Sequence, residues 1–218
     1  IIVGAMSPST IAASIAQQNA ESLFAIAYVQ MLNPGTPCIQ GPFLPNVDMK
    51  TGAPAFGSPE SNLALYACAQ MARYYGLPFR SGGNYTASRV PDGQAGYESA
   101  GTVWPTVQAC TNFILHAAGW QEGGLTSGYE KFILDVETLG ALTKFSKGLD
   151  LSEEEFAWDA YEEAGPGNHF LGTAHTMRHY KDAFFQPRIF HTDSYEKWKD
   201  EGSTDAGQRA NFVWKEML

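Results

Sequence analysis

The side chains able to do chemistry in this sequence fall just after short apolar runs. They are Met6, Gln40, Phe43, Asn84, Tyr85, Arg89, Asp92, Gln94, His116, Trp120 and Glu122. Where such runs are strands of a parallel sheet, the loops leaving them converge on one mouth, the usual place for a ligand in α/β proteins. Tyr85, Trp120 and Phe43 would then offer aromatic faces, and Asp92 and Glu122 negative charge. That combination suits a cation unable to donate a hydrogen bond, such as a quaternary ammonium. On residue type alone, Phe43 and Trp120 are more commonly members of a hydrophobic core. His116 at a strand end is more commonly a hydrogen-bonded structural histidine than a catalyst, although with Glu122 it would also make an acid–base pair of the kind a lyase uses.

Other constellations carry less. His175 and His179 stand one helical turn apart with His169 nearby, but no HExxH pattern or carboxylate in register completes a metal site. Helix capping or pairing with the neighbouring acidic stretch accounts for these histidines, and no metal is expected. Cys38, Cys68 and Cys110 are widely spaced, form no CxxC pair and lack a partnering His/Asp pattern, which argues against a cysteine nucleophile, a zinc ribbon or a disulfide framework.

The elements that must position these groups alternate. Ile1–Gly4 reads as a buried strand, followed by a helix capped by Ser9 or Thr10 that runs to about Leu32. Pro37–Gly41 reads as a second strand with a long loop after it. Ser58-Pro59-Glu60 opens the next helix, with a capping serine and proline at the first helical position. The strand Phe79–Gly83 enters from Pro78 and ends on two glycines, which allow a sharp turn or close approach of a ligand. Its helix starts near Asp92, and Pro105 should kink or restart it. Asn112–His116 is a fourth strand, and its helix is expected over Leu125–Lys147. Four strand–loop–helix units amount to half of a (β/α)8 barrel, and no GxGxxG fingerprint supports a dinucleotide fold. The pattern alone does not separate a half-barrel from a small doubly wound sheet. From Asp150 onward the composition turns acidic and aromatic, giving two expected regions: barrel half over 1–149 and helical C-terminal extension over 150–218.

Composition limits the partners. Fourteen Lys and Arg against 23 Asp and Glu leave a formal charge of -9, no footprint for nucleic acid or an anionic membrane. No apolar run is long enough to span a bilayer and no leader is visible, so the expected location is cytoplasmic. The sequence opens at Ile1 without a methionine, inside an expected strand, and we expect further residues upstream. A half-barrel leaves two sheet edges open, so pairing with the other half or with another copy, as a homo-oligomer, is expected.

Four stretches together carry a family resemblance. They are Asp48–Glu60, Val90–Glu98 (Val-Pro-Asp-Gly-Gln-Ala-Gly-Tyr-Glu), His116–Trp120 and Gly165–Gly172. In this order they resemble the trimethylamine methyltransferase family of corrinoid-dependent enzymes, and the similarity runs end to end over the C-terminal portion of that longer family. The resemblance implies a TIM barrel that moves a methyl group from a methylamine to the Co(I) of a corrinoid carried by a partner protein, with no permanently bound cofactor. Tyr85, with Asn84 before it, stands where archaeal trimethylamine enzymes carry pyrrolysine, so the chain is similar to the branch acting on quaternary amines such as glycine betaine. On that basis Asn84 and Tyr85 are the expected catalytic residues, with Tyr85 and Trp120 on the trimethylammonium and Asp92 or Glu122 balancing its charge. Arg89, Asn84, Gln40 or His116 would anchor a carboxylate. A truncated homologue that binds a methylammonium compound or a partner without turnover is the competing reading.

Overall fold

The computed structural model describes all 218 residues as a mixed α/β chain. Its backbone order is α1 (Ile11–Leu32), β1 (Asn46–Val47), β2 (Pro54–Ala55), α2 (Pro59–Tyr74), β3 (Arg80–Gly82), α3 (Gly93–Gln108), β4 (Phe113–Leu115), β5 (Trp120–Gln121), β6 (Thr126–Ser127) and α4 (Tyr129–Ser146). Five helices follow: α5 (Glu153–Phe156), α6 (Trp158–Ala164), α7 (Ala174–His179), α8 (Tyr195–Asp200) and α9 (Ala206–Met217).

The strands are short, but their parallel pairings follow chain order. Ser81 of β3 faces Ile114 of β4 in a parallel ladder, and Gln40 bridges Phe79 in the same sense. The Gln40 amide donates to Pro78, and the Arg80 amide to Gln40. On the far side the first residues pair with the chain just beyond Gln40: Val3 donates to Pro45 and accepts from the Val47 amide, while the Ile1 amino group reaches the Phe43 carbonyl. Parallel neighbours need crossovers, and α1, α2 and α3 supply them in turn. The Ile1–Gly4 expectation is thus corrected to bridges at Val3, because Gly4 turns left-handed immediately afterwards (φ +87°).

Local chemistry explains the helix limits. Ser58 accepts from the Ser61 amide at 3.2 Å with Pro59 in the first turn, so α2 starts where the capping signal stands. Ala64, Ala69, Ala72 and Cys68 are its buried residues, and these small side chains form the main core with Val3, Leu44, Phe79 and Ala109. The α3 helix is corrected to one uninterrupted element through Pro105. A proline at that position deprives the carbonyl four residues earlier of its donor. That carbonyl belongs to Gly101, and the Asn62 side-chain amide of α2 fills the gap at 2.8 Å. Helix α4 begins at Tyr129 and not at Leu125, because Thr126–Ser127 pairs antiparallel with Trp120–Gln121 as a small hairpin. The long loop before Gly57 likewise contains the β1–β2 hairpin, whose turn is held by Asp48 accepting from the Lys50 and Thr51 amides.

Beyond Asp150 the regular elements are all helices, joined by long irregular stretches, and the end of the chain returns to α4. Ile189 and Ala210 bury against Ile133, while the Glu130 carboxylate accepts from Asn211 and, at 2.9 Å, from the Trp214 indole. Glu137 accepts from the backbone amides of Ile189 and Phe190. No helix is long and apolar enough to cross a membrane.

Candidate ligand-binding recess

Past the ends of β3 and β4, four of the expected residues meet. Phe43, Tyr85, His116 and Trp120, joined by Phe56, Arg80 and Gly124, line an open recess of about 210 Å³. Its walls are rings in mutual contact. The Tyr85 ring lies 5.5 Å from Phe43 and 5.3 Å from Phe56, and His116 meets Trp120 edge-on at 4.8 Å. Tilted and edge contacts at these separations are the favourable arrangements for aromatic pairs.

Each ring is placed by backbone nearby. Side chains alternate along a strand, so Phe79 enters the core while Arg80 and Gly82 share the opposite face. Tyr85 lies over Gly82: a Cβ at that position would come within 1.7 Å of its hydroxyl, so only glycine admits the ring here. The chain then turns left-handed at Asn84 (φ 54°), and β4 is left in the same way at His116 (φ 58°). The two loops are stitched together, with the Glu122 and Gly123 amides donating to the carbonyls of Ser88 and Thr86. Glu98 of α3 holds the first loop, accepting from Thr86 Oγ1 at 2.7 Å and the Ala87 amide at 2.8 Å. Beneath both loops lies a buried ion pair on α4, in which Lys131 Nζ sits 2.6 and 2.5 Å from the two Asp135 oxygens.

The electrostatics are uneven. Burial pushes the Tyr85 phenol up to about 12, against the opposing pull of Arg80, so it stays protonated. His116 is held below the usual imidazole range by burial and then by Arg80, leaving it uncharged at neutral pH. Arg80 has no carboxylate within ion-pair distance, and no side-chain hydrogen bond of its own, so its charge is unspent. Below the loops, burial pushes the Asp135 carboxyl up to about 6 against the attraction of Lys131, and lowers Lys131.

The remaining expected residues lie elsewhere. Asn84 is fully buried, with its side-chain amide on the Ala117 carbonyl at 2.6 Å, and does not line the recess. Asp92 caps α3, accepting from the Ala95 amide and from Ser88 Oγ; these bonds hold its carboxyl below the usual range and tie it to the helix end. Gln40 is buried beside α1, its amide 3.5 Å from Asn19 Oδ1. Arg89 is exposed, and Glu122 sits at a left-handed turn outside the lining, so it forms no pair with His116 in the recess. Sequence reasoning missed Phe56 and Arg80. Strand alternation from Phe79 was the available signal for Arg80, whereas Phe56 arrives from the β1–β2 hairpin, which no local pattern announced.

The family model for trimethylamine methyltransferase (MTTB) matches residues 1–218. The chain belongs to that family. Among curated proteins it is 39% identical over its whole length to a glycine betaine methyltransferase of Desulfitobacterium hafniense (strain Y51), covering 45% of that protein. It is 36% identical, over 84% of its length, to a proline betaine:corrinoid methyltransferase of Eubacterium limosum, of which 38% is covered. A trimethylamine methyltransferase MttB of Methanosarcina barkeri (strain Fusaro / DSM 804) is 33% identical over 99% of the chain and 43% of its own length. The chain thus spans less than half the length of these relatives.

Proposed function

We propose that the recess binds a zwitterionic quaternary ammonium of the betaine class, and that the protein moves one of its N-methyl groups to the Co(I) of a corrinoid carried by a partner protein. The observation carrying this is the unpaired Arg80 on the wall of an otherwise aromatic, uncharged recess. Phe43, Phe56, Tyr85 and Trp120 offer faces to a trimethylammonium. A lone guanidinium beside them repels a simple cation and welcomes a carboxylate, for which its planar fork is suited. The carboxylate anchor is therefore Arg80, in place of Arg89, Asn84, Gln40 or His116. Asp92 and Glu122 are not needed as counter-charges, because the ligand brings its own. The named relatives acting on glycine betaine and proline betaine agree with this choice.

The chain's own contribution is binding and orientation. The trimethylammonium is already activated, since loss of one methyl leaves a neutral tertiary amine. The corrinoid supplies the nucleophilic cobalt. Tyr85, with a protonated phenol, and His116, uncharged, shape the wall and exclude water without taking a proton. In this proposal residues 1–149 form the C-terminal half of a TIM barrel, its mouth at the recess, and 150–218 a helical extension packed on it. The parallel ladder in chain order supports that arrangement.

The test is titration with glycine betaine and with tetramethylammonium, followed by methyl transfer from each to cob(I)alamin. Arg80→Met should weaken glycine betaine roughly ten- to a hundredfold, the loss of one charge-assisted contact, while tetramethylammonium binds no more weakly than before. Equal losses for both probes would overturn the carboxylate assignment.

A further inference from the structure

We infer that the buried Lys131–Asp135 pair is a positioning device that sets the spacing between the Tyr85 and Trp120 walls of the recess. The inference rests on the recess being the ligand site. Neither residue lines it. Their side chains are 2% and 3% exposed, and each reaches past the other to one loop. Lys131 Nζ donates to the Asn84 carbonyl at 3.1 Å, and Asp135 Oδ2 accepts from the Gly119 amide at 2.8 Å. Asn84 immediately precedes Tyr85, and Gly119 immediately precedes Trp120.

The peptide joining Asn84 to Tyr85 is gripped at both ends, because the Tyr85 amide also donates to Thr102 Oγ1 at 3.0 Å. One loop offers a carbonyl and the other an N–H, so only a donor and an acceptor side by side can serve both. Two positions one turn apart on a helix provide this. A buried ion pair is a poor stabiliser compared with apolar residues of similar volume, because desolvation consumes most of the attraction. Its reach to two loops that leave their strands in left-handed turns gives the pair a role that packing alone would not fill.

Two double variants, each free of buried charge, separate this role from plain stability. Lys131→Gln with Asp135→Asn keeps a donor for Asn84 and an acceptor for Gly119. Lys131→Met with Asp135→Asn keeps only the second. Glycine betaine and tetramethylammonium serve as probes, titrated below the melting midpoint of every variant. The Gln/Asn variant should bind within about threefold of the native chain, and the Met/Asn variant about tenfold more weakly or worse, the cost of one lost hydrogen bond to the loop. In a Tyr85→Leu background the Met substitution should add no further loss, since a positioning residue acts only through the group it positions. A second readout needs no ligand: the fluorine resonance of Tyr85 in fluorotyrosine-labelled protein should be shared by the native and Gln/Asn chains and shifted in Met/Asn, which loses the contact to the Asn84 carbonyl. Native-like binding and an unshifted resonance in Met/Asn, additive losses with Tyr85→Leu, or a tenfold loss in Gln/Asn would overturn the inference. Should the native chain bind neither probe, the ligand reading fails instead, and the fluorine comparison still decides the positioning role.

Discussion

Along α4, Lys131 and Asp135 turn toward the strand-end loops, whereas Glu130, Ile133 and Glu137 turn toward the C-terminal segment. Both sides use carboxylates against backbone or side-chain N–H groups, yet the surroundings differ. Asp135 faces an ammonium in a buried site, and burial raises its carboxyl. Glu130 faces neutral donors, Asn211 and Trp214, at a wetter edge, and these bonds lower its carboxyl. One side holds peptide groups whose placement decides the shape of a recess. The other attaches a segment whose apolar contacts, Ile189 and Ala210 against Ile133, already do much of the holding. The same helix thus carries a costly, geometry-setting contact and an inexpensive, attaching one.

The contrast can be broken at three strengths. Asp135→Leu strands the Lys131 ammonium without its counter-ion and should cost about 3–5 kcal/mol in urea unfolding, as for other broken buried pairs; a loss below 1 kcal/mol would mean that water reaches the site. Glu137→Leu leaves the buried Ile189 amide without its acceptor and should cost about 1–3 kcal/mol, with limited proteolysis cutting first beyond Asp150 while the recess still binds its probe. Loss of binding at the same time would show that the two sides of α4 are not separable. The mildest is acid. Because the folded Glu130 carboxyl lies below its ordinary 4.5, its contribution is complete above that pH and fades as pH falls through the folded value. Trp214 emission should therefore change in acid, and Glu130→Gln should flatten that change.

How much of this could be read from the residues depends on how local each signal was. Ser58-Pro59 and Asp92 announced the starts of α2 and α3, since a cap is decided within four residues. The strand–helix alternation pointed to parallel pairing, which β3 and β4 show, and Tyr85, Trp120 and Phe43, expected close together, line one recess. Arg80 is legible only through strand alternation from Phe79, because it stands inside a strand and not in the loop that holds Arg89 and Asp92. Lys131 and Asp135 resemble an ordinary solvent-facing pair at one-turn spacing, and nothing local says that two loops close over them. Asn84 was expected to act in catalysis or to anchor a carboxylate, but it is buried at a left-handed turn, a conformation that asparagine tolerates better than most residues. Pro105 promised a break, yet the helix runs on, and the Gly101 carbonyl it orphans is met by Asn62 of α2, 39 residues away in sequence.

That last contact extends into a larger tie. Asn62, Tyr66 and Arg73 of α2 reach across to Gly101, Gln108 and Ala109, so the second half of α3 has its loose carbonyls and its end satisfied from outside itself. Such a helix end is expected to fray less than one left to solvent. Hydrogen exchange should then find the second half of α3 opening together with α2, so that the helix carrying Thr102, which holds the Tyr85 amide, shares the opening energy of the core it leans on.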